Sequence, residues 1–320
     1  RLSLVGSEMC IRDRANSYIT EEHEEITSVE FSLNSNPNIV RDSVIEDPAG
    51  LVIAEINNNG EPVEGGTVSR IFGVAEMGTK CRTCGENSAK CPGHFGHIHL
   101  TEPVFHVGFI TYLKTILSCI CIRCNKLLIH KNEEEIVRLT KNKIGKQRFD
   151  EIRNAVKGVT HCHSCGTPAH KIKKETPSSN IYLIAEPVKR SGDDDGNGKK
   201  RNLRILTPQL CYDILKLVSD EDYRILGFDP TVSRPEDMII VEFPVPPIQV
   251  RPSIKMEMLS ASSADDDLTH KLVDIIKNNE NLKRSKGDGS LVKTNTISED
   301  FMLLQFHVAT FFNNSSIGMP

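Results

Sequence analysis

The chain has 320 residues, 38% of them hydrophobic and 26% charged, with a formal net charge of -4. That composition suits one or two ordinary cores and excludes a disordered, collagen-like or globally basic chain, so any nucleic-acid contact has to come from local surfaces. No apolar run approaches the roughly 18 to 20 residues that a membrane-spanning helix needs, so no membrane partner is expected, and ten cysteines in metal-like pairs predict a reducing, intracellular setting rather than disulfides.

Residues 1–14, RLSLVGSEMCIRDR, read as translated adapter sequence and are set apart from fold reasoning together with Cys10. Alternation from Ile26 to Val44, broken at Asn36-Pro37, predicts a strand or short helix joined by a turn. Gly50 to Gly78 reads as an irregular lead. Phe109, Tyr112, Leu113, Ile116 and Leu117 recur at helical spacing. Asn132 before Glu133, Glu134 and Glu135 predicts a capped helix start, with Gly145 dividing a helical hairpin and Gly158 ending it. Residues 181–189 read as extended, and SGDDDGNG (191–198) as a polar loop between Lys189, Arg190, Lys199, Lys200 and Arg201.

Thr207-Pro208 opens a helix through Leu210, Ile214, Leu215 and Val218, and Ser219-x-x-Asp222 opens a shorter one that Gly227 ends. Met238 to Val250 is expected to run extended into Pro244, Pro246, Pro247 and Pro252 with a polyproline-like stiffness. Asp265, Asp266 and Asp267 cap a helix carrying Leu268, Leu272, Ile275 and Ile276. A last helix follows Ser298, with Phe301, Leu304, Val308 and Phe311 facing a core and His307 packed rather than ligating. The stop at Gly318-Met319-Pro320, straight after this pattern, predicts a piece of a longer protein.

Two ligand sets dominate the chemistry: Cys81-x2-Cys84-x6-Cys91-x2-His94, and Cys121-x2-Cys124 with Cys162-x2-Cys165. A Cys-x2-Cys turn presents two thiolates to one tetrahedral zinc ion without strain. Gly85, Asn125 and Gly166 follow the second cysteines, and these residue types enter the left-handed region at least cost. His97 and His99 stand as substitutes for His94, Cys119 is a spare thiol beside Cys121, and His161 and His163 flank Cys162. Four protein ligands leave no open position for activated water, so two structural zinc ions are expected. Asp193, Asp195, Asn197 and Gly198 imitate the start of a calcium loop, but Arg204 falls where its bidentate Glu belongs. No nucleophile elbow, phosphate loop or dinucleotide fingerprint is present, so no catalytic residue is expected here.

CRTCGENSAKCPGHFGHIHLTEPVFHVGF (81–109) resembles the clamp region of the largest subunit of eukaryotic-type multisubunit DNA-directed RNA polymerases. The resemblance runs on through CIRCNKLL (121–128), the Cys162–Cys165 pair, ILTPQLCYDILKLVSDEDYRILGFDP (205–230), FPVPPIQVRPSI (243–254), DDLTHKLVDIIKNN (266–279) and LLQFHVATFFNN (303–314). It implies an α+β fold, a zinc-stapled and mostly helical clamp with short strands and long irregular segments. The implied organisation is a lead segment over 15–80, a two-zinc clamp head with a helical insertion over 81–170, and a clamp core with a lid-like proline-rich loop over 171–260. Helices leading toward an active-site domain would begin over 261–320.

The same resemblance implies a nucleotidyltransferase subunit that grips template DNA and the RNA–DNA hybrid beside the second-largest and smaller subunits. Arg251 and Lys255 would contact the nucleic-acid backbone through phosphate attraction. The family's catalytic Asn-Ala-Asp-Phe-Asp-Gly-Asp motif, which holds magnesium in the intact enzyme, is absent from this chain. EPVEGGTVSRIFGVAEMGTK (61–80) is similar to polymerases of large nucleocytoplasmic DNA viruses, which implies host cytoplasm or virion; a cellular member would be nuclear.

The alternative from another class is a stand-alone zinc-binding interaction module. A RING-type cross-brace wants a longer gap than Cys84-x6-Cys91 and a cysteine soon after His94, where none occurs before Cys119. A dithiol oxidoreductase using Cys162 and Cys165 would need a strand-to-helix setting that the polar surroundings do not offer.

Overall fold

A computed structural model describes residues 27–28, 31–58, 61–129, 132–175, 182–188, 203–255, 263–287 and 294–315. The adapter-like start with Cys10 and the 191–198 loop with its basic flanks lie outside them. Ser35 accepts a hydrogen bond from the Asn38 N–H and Pro37 occupies the first turn, so α1 (Asn36–Arg41) begins where a break was expected. The irregular lead holds a small hairpin, β1 (Asn57–Asn58) with β2 (Glu61–Pro62), one 3-10 turn at Arg70–Phe72 and isolated bridges from Gly50 to Ile98 and from Ile53 to Gly66.

The strand β3 (Gly96–Phe105) was not expected. It is buried at most positions, pairs antiparallel with a later strand, and shifts register between His99 and Val104. Its two histidines and Pro103 dilute the apolar pattern, and a strand covered on both sides does not alternate. Then follow α2 (Ile110–Leu117) and the hairpin α3 (Glu133–Thr140) and α4 (Gly145–Val156), as the helical spacing and Gly145 predicted. Asn132 takes the cap position but its side chain makes no cap hydrogen bond, so the capping box does not form. Gly158 turns left-handed, φ 90°, just after α4.

β4 (His170–Glu175), β5 (Tyr182–Pro187) and β6 (Arg204–Leu206) form an antiparallel sheet in that order. Of these only β5 was legible. α5 (Pro208–Lys216) starts at Thr207, whose hydroxyl accepts from the Leu210 N–H. α6 (Asp220–Leu226) starts at Ser219 and stops at Gly227, φ 94°. β7 (Ile239–Val245) is the partner of β3, and a 3-10 turn at Ile248–Val250 then replaces the expected polyproline path. β8 (Ile254–Lys255) and β9 (Ser263–Ala264) pair as the base of a hairpin. α7 (Asp267–Gly287) opens where the Asp266 carboxylate accepts from the Leu268 N–H, and α8 (Thr294–Phe312) begins ahead of Ser298.

The elements share two main cores. Leu113, Ile152, Leu183, Cys211, Leu215 and Tyr223 centre the first, where α2, α4, α5 and α6 meet the three-stranded sheet. Phe243, Leu272, Ile275, Leu304 and Val308 centre the second, where α7 and α8 pack on β3 and β7 and enclose Leu51 and Phe72. His307 packs there, beside Asp274. The architecture is α+β. Helices outweigh the small sheets, but long irregular stretches make the fold mixed rather than mostly helical. Among the described residues, no helix is long and apolar enough to cross a membrane.

Candidate metal centres

Three turns of one kind carry Cys81 and Cys84, Cys121 and Cys124, and Cys162 and Cys165. In each, the first cysteine's N–H bonds forward, to the carbonyls of Glu86, Lys126 and Thr167 at 2.9, 2.9 and 2.8 Å. The N–H groups of Gly85, Asn125 and Gly166 return to the cysteine carbonyls at 2.9, 2.9 and 2.8 Å. Closing the turn forces these residues left-handed, with φ of 75°, 59° and 68°. Isolated bridges hold the turn mouths, Lys80 to Asn87, Ile120 to Leu127 and His161 to Pro168.

Backbone bonds seat the first centre on the 3-10 turn at Arg70–Phe72. The Arg82 N–H donates to Arg70 at 3.1 Å, the Thr83 hydroxyl to Ile71 at 2.7 Å, and the His94 N–H to Phe72 at 3.0 Å. Cys91 Sγ then stands 3.7 Å from His94 Nε2. In the second centre the helical hairpin separates the two turns in sequence, yet Cys121 and Cys165 sulfurs lie 3.6 Å apart, as do those of Cys124 and Cys162. Within each set the ligand atoms all lie within 4.8 Å of one another. A tetrahedron with metal–sulfur bonds of about 2.3 Å has edges of about 3.8 Å. The spacing therefore fits one ion in each set.

The electrostatics agree. Burial pushes the Cys121 thiol up and drives Cys124 up to about 12. The Thr167 hydroxyl and N–H bring Cys165 down to about 6. Four thiols of which some resist ionisation become four thiolates only beside a compensating cation. Burial, the largest influence on Cys91, pushes it up, but the Gly93 N–H and hydrogen bonds from Cys84, Cys81 and Gln249 leave it below its ordinary value. Burial also lowers His94, which keeps its imidazole neutral, the form that ligates.

The alternative ligands are engaged elsewhere. His97 is fully buried against the Ser43 hydroxyl, 2.8 Å away, and His99 pairs with Glu242 at 2.7 Å. Cys119 bonds the Thr115 carbonyl at 3.5 Å, and burial pushes its thiol up to about 12. His161 bonds Thr160. Nothing in the sequence singles out Gln249, which the fold brings from beyond β7 to the Val74 carbonyl and against Gly73 and Gly93.

Of the residues expected to meet nucleic acid, Arg251 needs correction. Its side chain has no exposed surface, donates through Nε to the Pro246 carbonyl at 3.0 Å and through Nη1 to Thr269 Oγ1 at 3.3 Å, and lies over the Phe72 ring. A phosphate outside the protein cannot reach it; the short turn after Pro247 swings the side chain inward. Lys255 ends β8, and its side chain lies outside the described residues.

Comparisons with known proteins agree along the whole described chain. It is 61% identical over 304 residues to DNA-directed RNA polymerase subunit 1 of Acanthamoeba polyphaga mimivirus, covering 92% of this chain and 20% of that protein. It is 38% identical over 304 residues to subunit Rpo1N of Sulfolobus acidocaldarius, covering 92% of this chain and 32% of that one. It is 37% identical over 305 residues to Rpo1N of Methanocaldococcus jannaschii, covering 93% and 21%. The chain thus spans a fifth to a third of these relatives' length. The model of one family, RNA polymerase Rpb1, domain 1, matches residues 23–320, so both four-ligand clusters and the elements that seat them fall within it, and the chain belongs to that family.

Proposed function

We propose that this chain is the N-terminal clamp portion of the largest subunit of a DNA-directed RNA polymerase, closing over template DNA and the RNA–DNA hybrid in company with the second-largest and smaller subunits. The observation that carries the reading is the family match over residues 23–320, with polymerase subunits as the named relatives. Zinc is the ion we assign to both clusters, because seven thiols and one imidazole in two sets of four are a soft donor set with tetrahedral spacing. Filled by protein ligands, the centres are structural, and the nucleotidyl transfer with its magnesium belongs to the remainder of the subunit. The proline-rich stretch from Pro244 to Ser263 is read as the lid near the upstream end of the hybrid. The mimivirus relative favours a viral protein, working in host cytoplasm or virion.

The test is made in a polymerase assembled on the full-length subunit. Lys255→Ala is expected to weaken hybrid binding uniformly across sequences and to lower the salt slope of log K by about 1, as loss of one phosphate contact requires. An unchanged slope would remove Lys255 from the nucleic-acid surface. Failure of the full-length subunit to join a transcribing assembly would overturn the polymerase reading as a whole.

A further inference from the structure

Arg251 closes the 3-10 turn Ile248–Val250 and stands just ahead of the β8–β9 hairpin, with no exposed surface. Its guanidinium joins two places that the hairpin separates. Nε donates at 3.0 Å to the Pro246 carbonyl, on the way in, and Nη1 at 3.3 Å to Thr269 Oγ1, in the first turn of α7 on the way out. Beyond this tie, the Ser253 hydroxyl donates to Asp265 at 2.8 Å, and the strands pair Ile254 with Ala264 and Lys255 with Ser263. The far wall is itself fixed. Asn279 of α7, buried, accepts from the Thr101 N–H at 2.8 Å and donates to the His99 carbonyl at 2.9 Å, which pins the helix to β3 where the register shifts. A guanidinium buried for its volume alone would be destabilising, since Nη2 has no partner and an apolar side chain of that size would fill the space beside Phe72 without losing hydration. What only the planar fork supplies is a pair of directional bonds at a fixed angle.

We propose that Arg251 is a positioning residue for the β8–β9 hairpin: its fork ties the entry at Pro246 to α7 at Thr269 and so sets the direction in which the hairpin leaves β7. Without the tie, the described base is held by two-residue strands and the exposed Ser253–Asp265 pair, and pairing that short is marginal in water. The tie acts from inside the core. It changes where the hairpin stands and adds no charge to the surface. For its effect on transcription the inference rests on reading this stretch as the lid, since a hairpin loose at its base would part RNA from template less completely. The geometry of the tie does not depend on that reading.

The test uses a polymerase assembled on the full-length subunit. Arg251→Met keeps the volume and removes both bonds; Thr269→Val keeps Arg251 and removes one acceptor. Amide exchange at Ile254, Lys255, Ser263 and Ala264, followed by mass spectrometry, is expected to be about 10- to 100-fold faster in Arg251→Met, as loss of a buried charged hydrogen bond requires. It is expected to rise less in Thr269→Val, and α7 and β7 should keep wild-type protection in both. In the same assemblies the RNA still paired to template, read as the length sensitive to ribonuclease H, is expected to extend further upstream, with the salt slope of hybrid binding unchanged. Should Arg251→Met not assemble, Thr269→Val decides by the same exchange. Wild-type exchange at the four base residues would overturn the inference and leave Arg251 as core packing, whatever the loss of stability. Faster exchange with an unchanged ribonuclease H length would sustain the tie and overturn the lid reading instead.

Discussion

Burying a guanidinium is costly unless its donors find partners. Arg251 satisfies Nε and Nη1, leaves Nη2 without a partner, and is pushed down to about 10 by burial. Arg251→Ala would open a cavity beside Phe72 and strand the Pro246 carbonyl, so a loss of about 2–4 kcal/mol is expected from denaturant midpoints. Arg251→Met, which keeps the volume and removes the buried charge, should lose much less. On the proposed clamp reading, neither variant should change the salt slope of hybrid binding in the assembled polymerase. His106 gives a pH-dependent counterpart. It stacks between Phe109 and Phe312, and its Nδ1 accepts the Gly108 N–H, 3.1 Å away. Burial lowers its pKa below the ordinary 6.5. A histidine depressed in the folded state contributes stability that is present above pH 6.5 and is lost as the pH falls below it, because the unfolded chain takes up the proton first. His106→Phe should flatten that acid arm when melting temperatures are compared at neutral pH and below. Residues at this scale were legible where their chemistry fixes their spacing. The metal-type ligands announce themselves; the inward turn of Arg251 and the reach of Gln249 depend on a tertiary path that no local pattern encodes.

Helices with capping residues could be read along the chain, because Thr207 and Ser219 signal a start within a few residues and Gly227 a stop. Strands that owe their existence to distant partners could not. β3 is held by β7 and by the helices over it, and the lysine-rich β4 by β5. What marks β3 from outside is a glycine. Gly50 sits at φ +69° and bridges Ile98, and a Cβ there would stand 2.3 Å from the His97 carbonyl oxygen. Gly85, at φ +75° in the first cysteine turn, has nothing within 4 Å of its Cβ position. Both substitutions to Ala strain a left-handed backbone, but only one drives backbone into backbone. Gly85→Ala should therefore cost about 1–2 kcal/mol, the conformational penalty alone. Gly50→Ala should cost roughly 3–5 kcal/mol, since the chain must also move off β3. Equal losses in thermal or denaturant unfolding would show that the contact with His97 relaxes freely.

At the scale of the molecule, each cluster belongs to a different part of the fold. Cys121 and Cys162 are built into the first core with α2 and the three-stranded sheet, and the second cluster closes the long excursion through α3 and α4. Cys81 and Cys91 pack with Val74, on the turn whose Phe72 enters the second core under α7 and α8. On the zinc assignment proposed above, each ion would contribute about 10–16 kcal/mol, as much as the whole stability of a typical domain, so its loss should be decisive for its own neighbourhood. Two single substitutions separate the neighbourhoods. Cys165→Ser should release one ion and raise amide hydrogen exchange in α2, α4, β4 and β5, with α7 and α8 still protected. Cys84→Ser should release the other and raise exchange over residues 70–94 and in the Ile248–Val250 turn, with the α3–α4 hairpin still protected. Metal analysis gives the ion count and exchange mass spectrometry gives the map. If either variant instead loses protection throughout, the two cores unfold as one unit and the ions clamp it jointly.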